Sequence, residues 1–263
     1  MSIPPVRICA LLLAALLLCA PLSWASELHT LRLLTEEGPP FNFLGKDGPQ
    51  GFTVDLVREL LARTGTSGEI SFLPWARAYD TALTEPDTVL FTISRTPERE
   101  SLFRWVGPIM TLRWGLYALA ESKIRVSSLE DARLLAGIAT YRADVREAYL
   151  RNLCFANLYP AASFGNSVRM MLDGHVAAVI ADGIGLFHYL KQEDIPTDSV
   201  EKIFTFKTID LYIAFSRATD PELPARWQQA LDALQRDGTY RRIHAHWLPP
   251  ETLPTFDALP AMQ

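Results

Sequence analysis

The chain has 263 residues, with 25 Lys and Arg against 30 Asp and Glu, a formal net charge of −5 and 49% hydrophobic residues. That balance argues against a nucleic-acid or anionic-membrane binder, and the length is enough for a large core in one big domain or two modest ones. No Gly-rich loop followed by Lys-Ser or Lys-Thr is present to cradle nucleotide phosphates, and no Cys/His cluster has metal-ligand spacing, so no cofactor is expected.

Arg7 precedes an apolar run from Ile8 to Ala20, and Ser23-Trp24-Ala25 places small residues three and one before a cut. This reads as a secretory leader, residues 1–25, which puts the mature chain in the periplasm. The run is too short for a comfortable membrane span of about 20 residues. Cys19 follows Leu18 rather than the small residue of a lipid-attachment site. Only Cys154 stays in the mature chain, and it reads as a small buried hydrophobe rather than a nucleophile.

Strands and helices then alternate. Leu28 to Leu34 reads as a strand, followed by a Gly/Pro-rich loop through Phe41 and Gly48; Val54, Val57, Leu60 and Leu61 mark a helix face, and Ile70 to Leu73 a strand. Trp75 to Leu83 fits a helix and Val89 to Ile93 a strand. Thr92-Ile93-Ser94-Arg95-Thr96-Pro97-Glu98-Arg99 ends that strand in hydroxyls, with Pro97 at the first position of an expected helix. Hydroxyls, a helix N-terminus and an Arg fork together outline a carboxylate receptor. Alternatively, Thr96 only caps a helix and Arg99 pairs with a surface Glu.

Trp114 to Ala120 is strand-like, and a second series follows: strand Leu134 to Ala139, helices Asp144 to Leu153 and Ser167 to Leu172, strand Val176 to Ala181 and helix Gly183 to Leu190. Asp210 to Phe215 is again strand-like, with helices at Pro221 to Arg236 and Thr239 to Trp247 before a Pro-rich strap. Two α/β series, joined by one strand-like segment leading out and another leading back, imply two lobes with a double crossover.

Along that order stand Pro39-Pro40-Phe41, Gly51-Phe52-Thr53-Val54-Asp55-Leu56, Ser94 to Arg99 with Gly107-Pro108 beyond, Asp173-Gly174 before Val176, and Asp182. On these motifs the chain resembles the family 3 extracellular solute-binding proteins, the periplasmic receptors of amino-acid uptake systems. It implies an α/β, two-lobe periplasmic binding protein-like fold of type II, each lobe a mostly parallel sheet flanked by helices, with a two-strand hinge. Lobe 1 would be residues 26–114 and 214–263, and lobe 2 residues 115–213. By the same resemblance Arg99 takes a ligand carboxylate with Ser94 and Thr92, Asp182 takes its amino group, and Phe41 and Trp75 clamp its apolar side. The implied partners are a small carboxylate ligand and a membrane permease with its ATPase, or a membrane receptor.

Tyr141-Arg142-Ala143 stands where relatives place a Gly-Thr-Thr turn. Arg77, Arg95, Arg99 and Arg142 could all converge on the cleft, which would suit a ligand more acidic than a neutral amino acid; each could equally be a structural ion pair. The rival expectation is an enzyme, since dehydratases of prephenate or arogenate share this fold and need a cleft carboxyl with a raised pKa. Glu36, Glu37 and Asp182 are the candidates.

Overall fold

The computed structural model describes residues 30–142 and 144–254. The expected leader with Cys9 and Cys19, and the end of the Pro-rich strap, lie outside the described residues. Among those described, no helix is long and apolar enough to cross a membrane.

The first lobe opens with β1 (Thr30–Thr35) and a hairpin of β2 (Phe43–Gly45) and β3 (Gly48–Gln50). Then come α1 (Phe52–Thr64), β4 (Ser67–Phe72), α2 (Trp75–Thr84) and β5 (Thr88–Ser94). Strand β1 lies between β4 and β5, parallel to both. Helix α1 buries Phe52, Val54, Leu56, Val57 and Leu60, the stripe expected from an apolar period near 3.6.

The second lobe follows β6 (Phe103–Leu119) with α3 (Leu129–Arg133), β7 (Ile138–Tyr141), α4 (Val145–Asn152) and β8 (Leu158–Ala161). It continues through α5 (Phe164–Leu172), β9 (Ala178–Asp182) and α6 (Gly183–Gln192). Strand β7 is parallel to β8 and β9. The chain returns through β10 (Val200–Ser216) to α7 (Glu222–Arg236) and α8 (Thr239–Trp247) on the first lobe. Trp227, Leu231 and Leu234 of α7 are buried together in the first lobe's core.

The strands β6 and β10, 17 residues each, pair antiparallel from Phe103↔Ser216 to Leu119↔Val200. One end of β10 pairs with β5, and the far end of β6 pairs with β9. A single eight-stranded sheet, β4-β1-β5-β10-β6-β9-β7-β8, therefore runs through both lobes. Separate buried clusters lie along it, one set around α1, α7 and α2, the other around α5, α6 and the α3–α4 face.

Three expectations need correction. The strand expected at Leu134 begins at Ile138, because a Ser128/Asp131 capping box opens α3 and leaves Leu134 86% exposed after it. No α-helix follows Pro97: residues 95–102 form a turn and one 3₁₀ turn, with the Arg99 and Leu102 N–H groups bonded to carbonyls three residues back. Cys154 is exposed, not buried. It occupies the left-handed position (φ 60°) after α4, where Phe155 N–H bonds Leu150 O at 3.1 Å and Cys154 N–H bonds Arg151 O at 2.8 Å.

Gly51 precedes α1 at φ 120°, where a Cβ would lie 2.4 Å from the Phe41 carbonyl oxygen. Gly51→Ala should therefore lower stability by more than about 1 kcal/mol, measured by urea denaturation. An unchanged midpoint would refute this packing of the 38–42 loop.

Candidate functional site

Where the crossed strands pass between the lobes they floor a cleft of about 400 Å³, through Leu112, Trp114, Ile209 and Leu211. A broader groove of about 1230 Å³ flanks the crossing near Lys191, Lys202 and Glu251. The smaller cleft is the candidate site, because buried charge and a strained backbone residue converge there.

The first-lobe wall comes from β5, α2 and the loop after β1. Thr92 has φ 66° and is skipped in the β5–β10 register, where Ile93 faces Tyr212 and Phe91 faces Ile213. A bulge at that point takes Thr92 out of the ladder, a conformation of order 1–3 kcal/mol that clusters at functional sites. Its hydroxyl donates to Thr53 Oγ1 at 3.0 Å, and Thr53 donates to Phe41 O at 2.9 Å and to Asn42 Oδ1 at 3.1 Å. The chain of hydroxyls thus ties the strand end to the loop that carries Phe41. Ser94 is buried at the cleft edge, and its carbonyl accepts Arg99 Nη1 at 3.2 Å.

Arg99 packs on two adjacent aromatic rings, its Cζ 5.2 Å from the ring centroids of both Trp75 and Tyr79, which are 5.7 Å from each other. Among the described residues it makes no ion pair, although it lines the cleft. Arg95, four residues earlier, has the opposite fate: it grips Glu100 through Nε at 2.7 Å and Nη2 at 2.5 Å, and lies over Trp105 and Tyr212. Arg95 and Arg77 do not line the cleft, which corrects the expectation of four converging arginines. The turn at 97–99 aims Arg95 at Glu100, and Arg77 is on the exposed side of α2. Phe41, Trp75 and Arg142 do line it.

The second-lobe wall is more charged than its sequence suggests. Asp182 ends β9 and caps α6, accepting Gly185 N–H at 2.8 Å on Oδ1. Asp144 caps α4 and accepts Arg146 N–H at 2.8 Å. The Arg146 side chain folds back, giving Nε to Asp144 Oδ1 at 2.7 Å, Nη2 to Asp144 Oδ2 at 3.0 Å and Nη1 to Asp182 Oδ2 at 3.3 Å. These side chains are only 11–15% exposed. Burial opposes the Arg146 charge, but Asp144, Asp182 and Glu36 outweigh it and hold its pKa above the ordinary value. Sequence reasoning missed Arg146 and did not assign Asp144; the signal available was an Asp at a helix start with Arg two residues on.

Glu36 of the first lobe faces this cluster. Burial, then the negative charge of Asp144, push its pKa up to about 7, with Arg146 pulling the other way. Tyr141, also in the cleft, is shifted up by burial, then by Glu36 and Asp144.

The model of the bacterial extracellular solute-binding proteins, family 3, matches residues 31–250. The chain belongs to this family. It is 26% identical over 216 residues to a probable amino-acid ABC transporter-binding protein of Haemophilus influenzae, covering 79% of this chain and 80% of that protein. Among solved structures, a histidine kinase sensor domain with similarity to periplasmic binding proteins superposes at TM-score 0.75 with 20% identity, covering 84% of this chain and 98% of that one. An ancestral arginine-binding protein bound to arginine superposes at TM-score 0.72 with 22% identity, covering 84% and 99%. These likenesses establish the two-lobe fold of this solute-binding protein.

Because the Glu36 pKa is raised above its unfolded value, the folded state binds the extra proton. Stability from this group is full below about pH 4.5 and is lost as pH rises toward 7 and beyond. Glu36→Gln should therefore stabilise the ligand-free protein by about 1–3 kcal/mol at pH 8 and by nothing at pH 4. Thermal denaturation of both proteins across that range checks it, and a gain equal at both pH values would refute it.

Proposed function

We propose that this family 3 protein works in the periplasm, capturing a small carboxylate-bearing ligand, most simply an amino acid or derivative, by closure of its lobes. Of the described residues, 30–114 with 214–254 form one lobe and 115–142 with 144–213 the other, and the hinge lies where the paired strands β6 and β10 pass between them. The observation that carries the reading is Arg99: a half-buried guanidinium, braced by two aromatic rings, that faces the cleft with no ion-pair partner among the described residues. Such a group is ready to take both oxygens of a carboxylate.

Ser94 and Thr92 flank that carboxylate, and Arg142 reaches it from the other lobe. Asp182, with Asp144 and Glu36 nearby, supplies the negative surroundings a ligand ammonium needs on leaving water. Phe41 and Trp75 cover the ligand's apolar part. A ligand that touches both lobes favours the closed form by the contacts it makes only there. The closed surface is then recognised by a membrane permease with its ATPase, which takes the ligand up; a membrane receptor would use the same surface for sensing.

A thermal-shift screen of amino acids, opines and dicarboxylates tests this, since a ligand at a hundredfold excess over its Kd adds about 2.7 kcal/mol. Arg99→Ala should abolish the shift and Arg95→Ala should leave it intact. Equal binding by wild type and Arg99→Ala would overturn the assignment.

One observation favours a second reading. Glu36, pushed to about pKa 7 inside the cleft, is suited to protonating a leaving hydroxyl, as a dehydratase of prephenate requires. Prephenate would lose water and carbon dioxide to give phenylpyruvate, followed by its ultraviolet absorbance. Turnover that vanishes in Glu36→Gln would establish the enzyme, and no turnover by the wild type would dismiss it.

A further inference from the structure

Arg146 is committed to its own lobe. It lines the cleft, yet all three guanidinium nitrogens are engaged by carboxylates of its own lobe, two by Asp144 and one by Asp182. Its Cζ also lies 5.8 Å from the Phe164 ring, which closes one side. The guanidinium is held at 14% side-chain exposure by its own N-cap and by the N-cap of α6, two backbone-anchored groups, so it cannot swing away cheaply. Three carboxyls, Glu36, Asp144 and Asp182, meet at this end of the cleft, and Arg146 neutralises one of them.

We propose that Arg146 is a built-in cation that sets the ligand's charge, occupying the place of a ligand side-chain cation so that the site takes neutral or acidic amino acids and rejects basic ones. This rests on the reading of the cleft as an amino-acid site. Asp144 and Asp182 with Arg146 carry a net charge of −1, which one ligand ammonium completes. A ligand bringing a guanidinium or second ammonium would put like charge against a buried arginine, a repulsive element of the kind that creates specificity. Without Arg146, the same carboxyls would suit two cations.

The test is titration calorimetry of glutamine, glutamate, arginine and lysine against the wild type, Arg146→Gln and Arg146→Lys. The wild type should bind glutamine or glutamate at least tenfold more tightly than arginine or lysine. Arg146→Gln should move that ratio at least tenfold toward the basic amino acids, and Arg146→Lys, which keeps the charge and supports the fold, should hold the wild-type order. A wild type that prefers arginine or lysine overturns this proposal while leaving the cleft reading intact, and so does an Arg146→Gln variant that weakens every ligand equally. An Arg146→Lys variant that turns to basic amino acids also overturns it, because the fixed charge would then not be the determinant. A wild type that binds none of the four overturns this proposal, and the thermal-shift screen with Arg99→Ala then decides the cleft reading separately.

Discussion

The antiparallel pairing of β6 with β10 is the constraint on which the rest of the molecule depends. Two strands of 17 residues are long for a domain of this size, and neither belongs to one lobe. Their ladder shifts register at Lys202/Phe204, Thr205/Lys207 and Leu211/Ile213. Each shift interrupts the regular ladder and bends the ribbon, which is how a continuous sheet can carry two separate cores. The cleft walls stand on its two sides: β5 joins β10 at Ser94↔Leu211, and β9 joins β6 at Trp114↔Asp182. Ser94 and Asp182, which end their strands at the cleft, are thereby placed by backbone hydrogen bonding rather than by side-chain packing.

Two arginines in the cleft illustrate how burial decides what a charge is for. Arg146 is deep, and a deep cation without a carboxylate would be costly, so it is saturated by Asp144 and Asp182. Arg99 is half-buried, with two neighbouring aromatic rings against it and only a carbonyl accepting from it. The rings lower the cost of its partial desolvation without satisfying its donors. One arginine is therefore part of the wall, and the other is what the wall presents.

Much of the lobe architecture was legible from hydrophobic periodicity. The faces of α1 and α7 and the strands β1, β5 and β9 stood out because each buries one continuous apolar face or run. The short pieces were not legible. Strand β8, whose four residues include Pro160, carries no alternation long enough to register, and α3 has five residues. Within the cleft, Arg99 was named from the hydroxyls and Pro97 that precede it after a strand, and Asp182 from the family resemblance; both line the cleft. The separation of Arg95 from Arg99 could not be found, because it depends on whether residues 97–99 continue as a helix or close as a turn. That choice is made by the start of β6 at Phe103, a tertiary effect. Arg146 was hidden because its second partner, Asp182, lies 36 residues on, and Glu36, named beside Glu37 as a candidate carboxyl, could not be singled out because the charges that face it are on the other lobe.

The cross-cleft charges also bear on why closure should wait for a ligand. Glu36 on one lobe and Asp144 on the other are like charges, and burial first, with Asp144 adding to it, pushes the Glu36 pKa up to about 7. In the empty cleft near neutral pH, bringing the walls together keeps a proton on Glu36 or sets two carboxylates against each other. A ligand ammonium between them relieves that opposition. On the proposed reading, the differential affinity that drives closure is therefore partly relief of a repulsion built into the walls. To carry a two-state equilibrium from 1:99 to 99:1 takes about 5.5 kcal/mol of differential binding. On the same reading, a carboxylate on Arg99 and an ammonium between Asp144 and Asp182 on one wall and Glu36 on the other supply charge-assisted contacts that only the closed form makes together.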